Sequence, residues 1–274
     1  MQWQLRPMEV RRDAGAIRYV IRLSLSCIAS VSMERVVDDE WLDEDLGTPE
    51  EIDSALHAIS LANRRFGGVR LHARLLQRAL ARVPQETGSQ VTRPHILEVA
   101  SGRADVLQAA LLRLVGATSI MPDVTLLDRS RVHLPDPGAW AAELPPPRVV
   151  AGDALDLPFA DASVDIVSCC LFLHHLDPPQ VARYLAEARR VARVAVVIND
   201  LERSPLHYRL AKLNRLIDPS RISRHDGPVS VRRAYTRSEL ARMLTNTGSS
   251  FHLERAWLYR LGAILWCGES NEAH

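Results

Sequence analysis

The run Val194-Ala195-Val196-Val197-Ile198 sets five apolar residues in succession. A strand with one wet face alternates apolar and polar residues, so an unbroken run needs cover on both faces. That is the condition of an interior strand in a parallel sheet. Apolar-rich runs also stand at 96–99, 124–127, 148–151 and 164–169, and helix-period segments at 104–114 and 177–191 lie between them. Strand–helix alternation with buried strands predicts an α/β fold, a doubly wound and mostly parallel sheet covered by helices.

The flanks carry their own signals. Thr48-Pro49-Glu50-Glu51 is a capping box with proline at the first helical position. It predicts a helix that stops at Gly67-Gly68, followed by a second over 69–83. Residues 84–94 are polar and turn-rich and read as a linker. Residues 135–147 read as a proline-rich connection, and Ser204-Pro205 opens another helix. Arg224-His225-Asp226-Gly227-Pro228 reads as a turn, with 229–235 as a lid, a substrate wall or a solvated loop. Thr236-Arg237-Ser238-Glu239 is a further capping box, and 251–258 with 261–266 read as a final hairpin. The expected organisation is an N-terminal extension over 1–47, a helical cap over 48–93 and the main domain over 94–274. Residues 1–32 admit three readings: a targeting peptide, an amphipathic accessory helix, or an extension ahead of Met33.

Composition narrows the function classes. The chain has 274 residues, 47% of them hydrophobic, and a formal net charge of +1. A packed core is expected, and general attraction to nucleic acid is not. The four cysteines, Cys27, Cys169, Cys170 and Cys267, lack metal-ligand spacing. They read as free thiols of a cytoplasmic protein, and no metal ligands are picked out. No apolar run is long enough to span a bilayer.

In an open α/β sheet, ligands bind beyond the carboxyl ends of the strands, and the chain places its polar residues there. Glu98 ends the first strand, and Ala100-Ser101-Gly102 form the turn into a helix. Such a bend lets a ligand approach main chain beside a helix N-terminus. Asp128, followed by Arg129, ends the second strand, where a carboxylate can accept both hydroxyls of a ribose. The competing role is a helix N-cap. Asp153 ends the third strand, where it and the Ala154 amide could meet an adenine edge. The fourth strand leads into Leu171-Phe172-Leu173-His174-His175-Leu176. A histidine here could serve as general base for a hydroxyl, since its pKa lies near neutrality. Packing under a ligand and capping the next helix are the plainer roles. The two adjacent side chains are expected to point in different directions. Asn199-Asp200 closes the fifth strand and could position a substrate.

The order of these blocks resembles a known family. Leu97-Glu98-Val99-Ala100-Ser101-Gly102-Arg103-Ala104-Asp105 is similar to the first motif of class I S-adenosylmethionine-dependent methyltransferases. Gly152-Asp153-Ala154-Leu155-Asp156-Leu157-Pro158-Phe159, Ser163-Val164-Asp165-Ile166-Val167 and Leu173-His174-His175-Leu176 resemble later blocks of the group that includes ubiquinone and menaquinone biosynthesis enzymes. The resemblance covers about 94–198. It implies a seven-stranded Rossmann-like sheet and S-adenosyl-L-methionine as cofactor. It implies cofactor contacts from Glu98, Ala100, Ser101, Gly102, Asp128, Arg129, Asp153, Ala154 and Leu171, with His174 and His175 as catalytic candidates. Ala100 and Ala104 stand where the family usually has glycine.

The leading expectation is methyl transfer to a small-molecule acceptor, by O-methylation of a hydroxylated aromatic, quinone or polyketide-like metabolite of secondary metabolism. No nucleic-acid partner is expected, and the chain acts alone or as a homodimer. The alternative is a non-catalytic binding or scaffold protein on the same fold. A nicotinamide dehydrogenase is disfavoured because Gly-x-Gly-x-x-Gly is missing.

Overall fold

Three helices begin where their capping residues put them. In α1 (Pro49–Arg65), the Thr48 amide donates to Glu51 Oε2 at 3.0 Å and the Glu51 amide donates to Thr48 Oγ1 at 3.3 Å. In α4 (Pro178–Val191), the Asp177 amide donates to Gln180 Oε1 at 2.8 Å. Thr236 and Glu239 make the same reciprocal pair at the start of α7 (Arg237–Thr245). Each cap satisfies amides that the first helical turn leaves unpaired, a contribution of about 1 kcal/mol.

The computed structural model describes residues 33–44, 46–87, 93–116, 120–135, 137–214, 218 and 220–270. All of them belong to the unit Ser32–His274, one of two into which the chain divides. The expectations for residues 1–32, and Cys27 with them, lie outside the described residues. Cys169, Cys170 and Cys267 are free thiols. Among the described residues no helix is long and apolar enough to cross a membrane.

Seven strands form one sheet: β1 (His95–Val99), β2 (Asp123–Asp128), β3 (Arg148–Ala151), β4 (Val164–Cys170), β5 (Ala192–Leu201), β6 (Ser249–Ala256) and β7 (Arg260–Ser270). Their order is β3-β2-β1-β4-β5-β7-β6. The first five run parallel. Strand β7 is antiparallel to β5, and β6 to β7. The order reverses between β1 and β4, which opens a crevice beyond their carboxyl ends.

Side chains alternate across the sheet and build two cores. Leu97, Val99, Val167, Val196 and Ile198 pack with Tyr184 and Leu185 of α4. Ile96, Leu126, Ile166, Val197 and Ile264 pack on the other face with α2 (Gly68–Thr87) and α3 (Asp105–Val115). Helix α2 therefore covers the sheet. A Cβ at Gly262 of β7 would lie 2.7 Å from Leu71 Cδ1 and 2.9 Å from Leu75 Cδ1, so glycine lets helix and strand approach.

Local expectations are corrected at two places. Residues 84–87 are not linker but the last turn of α2. Residues 224–228 do not turn and 229–233 are not loop; they lie within helix α6 (Arg221–Arg233). Ser220 caps it, accepting the Ser223 amide at 3.2 Å. Pro228 removes a helical hydrogen bond, a cost that usually ends a helix. Tertiary contacts outweigh it. The Asp226 carboxylate accepts the Trp41 and Leu42 amides, each at 3.0 Å, and Val229 and Val231 are buried. Helix α5 (Pro205–Asn214) precedes it and buries none of its side chains.

Candidate active site

A cavity of about 1620 Å³ lies over the carboxyl ends of β1, β2, β3 and β4. The residues picked out from the sequence, Glu98, Ala100, Ser101, Gly102, Asp128, Arg129, Asp153, Ala154, Leu171, His174 and His175, all line it.

The loop after β1 is bent by three left-handed residues: Ala100 at φ 52°, Gly102 at φ 47° and Ala104 at φ 56°. Glycine adopts this conformation freely, whereas alanine has a Cβ that crowds the following carbonyl. The two alanines therefore keep the glycine-type path and bear its strain. The surroundings impose that path. The Ser101 amide donates to Leu127 O at 3.1 Å, and the Gly102 amide donates to Asp128 Oδ2 at 2.8 Å. A Cβ on Gly102 would meet no atom within 4 Å.

Asp128 has a second job. Its Oδ1 accepts the Ser130 amide at 3.0 Å, so one buried carboxylate joins the loops after β1 and β2. Asp153 is exposed and spends Oδ1 on the Leu155 amide at 2.8 Å. Leu171 is also left-handed, at φ 57°, which turns the chain sharply where β4 ends.

Glu98 points into the layer of α2. Its Oε2 is 3.8 Å from His72 Nε2 and has no hydrogen-bond partner. Burial pushes its carboxyl up to about 8, against the lowering effect of the Ser168 hydroxyl. The same burial pushes His72 down to about 4. A buried carboxylate with an unfilled oxygen beside an open cavity is suited to a cationic or hydrogen-bonding ligand group.

The two histidines occupy a 3-10 turn, Leu173–His175. They do not diverge as expected. Their ring centroids are 4.1 Å apart and their planes 37° apart. A carboxylate fixes each ring: His174 Nδ1 is 2.7 Å from Asp200 Oδ1, and His175 Nδ1 is 2.7 Å from Asp43 Oδ2. Burial would raise Asp200, but His174 and the amides of Leu201 and His174 more than offset it and hold the group low. Asp43 is likewise held low despite burial, by His175 and Arg233. Glu40 is different. Burial, opposed by His175, raises it to about 7.

Residues 33–44 were expected only as part of an extension, yet Asp39, Glu40, Leu42, Asp43 and Glu44 line the cavity. Arginines stitch the segment down. Arg35 donates to Arg233 O at 2.6 Å, His174 O at 3.1 Å and Leu176 O at 3.0 Å. Arg233 donates to Asp38 O at 3.1 Å and His175 O at 3.1 Å. Trp41 stacks on His225 with centroids 3.9 Å apart. The acidic run Asp38-Asp39-Glu40 and the pair Arg232-Arg233 were the available signal, but nothing local says that they meet. Leu56, Ile59 and Phe66 of the α1 region, Leu210 and Leu213 of α5, and Gly227 and Ser230 of α6 complete the wall. Residues of α1 line the cavity, and α2 packs against the sheet.

A family model described as a methyltransferase domain matches residues 97–197. No curated protein matches the chain. Among solved structures, the plantazolicin methyltransferase BpumL in complex with SAH is 12% identical, covering 83% of this chain and 94% of that chain, with a TM-score of 0.58. The same enzyme with SAH and a pentazolic desmethylPZN analog gives 12%, 83%, 93% and 0.57. A SAM-dependent methyltransferase from Aquifex aeolicus is 19% identical over 68% of this chain and 88% of that chain, with a TM-score of 0.45. The matched stretch, 97–197, spans the strands and loops that build this crevice, and the match supports an S-adenosylmethionine-dependent methyltransferase.

Proposed function

We propose that the chain methylates a hydroxyl oxygen of an apolar small molecule, a hydroxylated aromatic, quinone or polyketide-like compound. The observation that carries this reading is the pair His174 and His175, each oriented by a carboxylate, on the wall of the cavity that also holds Glu98, Asp128 and Asp153.

The residues at the strand ends fit the cofactor. Glu98 Oε2 is a buried oxygen without a partner, and the space above Gly102 is open. Glu98 would receive the amino group of the methionine part, through water or directly. Ala100, Ser101, Gly102 and Leu171 would offer main chain to that part. Asp128, whose oxygens each keep a second lone pair, would accept the ribose hydroxyls, with Arg129 beside it. Asp153 and the Ala154 amide would take the adenine edge. When bound, S-adenosylmethionine supplies an electrophilic methyl group on sulfur.

The rest of the cavity serves the acceptor. Its volume exceeds the roughly 300–1,000 Å³ of common small-molecule sites, which leaves room for two ligands. Leu56, Ile59, Phe66, Leu210 and Leu213 give that half an apolar lining. The chain's work is to align the acceptor oxygen with the methyl carbon, so that a C–O bond forms as the S–C bond breaks. S-adenosylhomocysteine is left as the neutral thioether, and the hydroxyl proton passes to the His175 imidazole or, where that ring is engaged, to water.

The test is to incubate the full chain with S-adenosylmethionine and a panel of phenols, quinols and aromatic polyketides, and to assay S-adenosylhomocysteine and the methylated product by mass spectrometry. Methyl ethers from phenolic members are expected. Methylation of carbon or nitrogen acceptors alone would overturn the oxygen reading, and failure to bind S-adenosylhomocysteine would overturn the site.

A further inference from the structure

Glu40, His174 and His175 bring one donor atom each to within 4.8 Å of one another at the edge of the cavity. We propose that these three side chains form a binding site for a divalent first-row transition-metal ion, with zinc the best match.

Four observations carry this. First, the donor set of two imidazoles and one carboxylate is the kind that holds zinc or iron(II) with positions left open for another ligand. Second, Glu40 is 5% exposed, and its Oε1 has no hydrogen-bond partner. It is aimed at the ring of His174, 3.8 Å from Nε2. The nearby cation does not satisfy it. Arg233 Nη1 is 3.9 Å from that oxygen and donates to Asp38 O at 3.1 Å, while Nε and Nη2 go to the carbonyls of His174 and His175.

Third, both imidazoles have the outer partners that metal-bound histidines require. Nδ1 of His174 is tied to Asp200 and Nδ1 of His175 to Asp43, each at 2.7 Å. A carboxylate on Nδ1 fixes the tautomer and leaves Nε2 as the donor toward a metal. Fourth, Asp200 does not line the cavity, and its oxygens accept His174 Nδ1 and the amides of His174 and Leu201, so it is a positioning group rather than a ligand. The separation of 3.8 Å is wider than the roughly 3.3 Å between donors at about 2.05 Å in a tetrahedral site. Binding would draw Glu40 and the His174 ring together by about half an ångström.

The ion would put positive charge at the acceptor end of the cavity, where an acceptor oxygen can complete its shell and lose its proton more readily. That use rests on the oxygen-acceptor reading above; the binding site itself does not.

The experiment uses the untagged full chain, stripped with a chelator and returned to buffer. Zn²⁺ is titrated calorimetrically, and the visible d–d spectrum of added Co²⁺ is recorded. Wild type should take about one equivalent of Zn²⁺ and show a structured Co²⁺ band. Glu40→Gln and His175→Asn should each weaken Zn²⁺ by at least about tenfold and lose the band, and Asp200→Asn should weaken it by about 10–100-fold. His252→Asn, on the far edge strand, should match wild type. S-adenosylhomocysteine binding by each variant reports that the fold is intact. Absence of a stoichiometric Zn²⁺ site, or equal affinity in Glu40→Gln, would overturn the site. If the metal-free chain still binds S-adenosylhomocysteine and forms methyl ethers, the donor half and the oxygen reading stand without the metal. Retained Zn²⁺ with no methyl ether formed would support the metal site and sink the oxygen reading.

Discussion

Asp128 Oδ2 accepts the Gly102 amide at 2.8 Å, so the acid that ends β2 also holds the loop that ends β1. One residue thus ties the loops after β1 and β2, and on the proposed reading it also receives the ribose. Asp128→Ala should remove both at once. We expect S-adenosylhomocysteine affinity to fall at least about tenfold, and stability to fall by about 1–3 kcal/mol as two amides lose their acceptor. Calorimetric titration and urea unfolding measure these separately. Unchanged affinity would show that Asp128 is only a loop tie.

Ala100 sits at φ 52°, where its methyl group is a steric burden. Ala100→Gly should raise stability by about 1 kcal/mol, the left-handed penalty less the added freedom of the unfolded chain. The urea midpoint should move up with no change in the slope. A lower midpoint would mean that the methyl group packs usefully.

Glu98 links stability to pH. Its carboxyl is raised from 4.5 to about 8 in the fold, so the folded state binds more protons than the unfolded state between those values. Its contribution is therefore full below about pH 4.5 and is lost as pH rises to about 8. His72, lowered from 6.5 to about 4, runs the other way between pH 4 and 6.5 and masks the first part of that loss. Comparing wild type with Glu98→Gln isolates the carboxyl. The variant's stability relative to wild type should grow steadily from pH 5 to 8, as read by chemical unfolding at each pH. A constant difference would place Glu98 in contact with water.

Arg35 carries three carbonyl bonds between residues 33–44 and the site. Arg35→Ala should loosen Glu40 and Asp43 while leaving the strand-end carboxylates in place. KM for the acceptor should rise several-fold, with S-adenosylhomocysteine affinity within about twofold of wild type. Equal losses in both would mean that the segment supports the whole sheet.

The strands and most helices were legible because their causes are local. An apolar run such as 194–198 needs cover on both faces, and a capping box such as Thr48 with Glu51 closes on itself within four residues. The acids at the strand ends were legible for the same reason, since each follows its own run. Helix α6 was not, because Gly227-Pro228 argues for a turn and the contacts that overrule it come from Trp41 and Leu42, far along the chain. Glu40 and Asp43 were invisible as site residues for a related reason. Their partners His174 and His175 are more than a hundred residues away, and only the folded chain brings an acidic stretch onto a histidine turn.

The matched stretch runs from 97 to 197, yet Glu40, Asp43, α1, α5 and α6 all lie beyond it. On the reading proposed above, the matched stretch holds the methyl donor, and the segments outside it hold whatever is methylated. Two chains can share the first completely and act on unrelated compounds. Anyone wishing to redirect this enzyme should graft at 33–66 and 205–233 and leave the parallel strands alone.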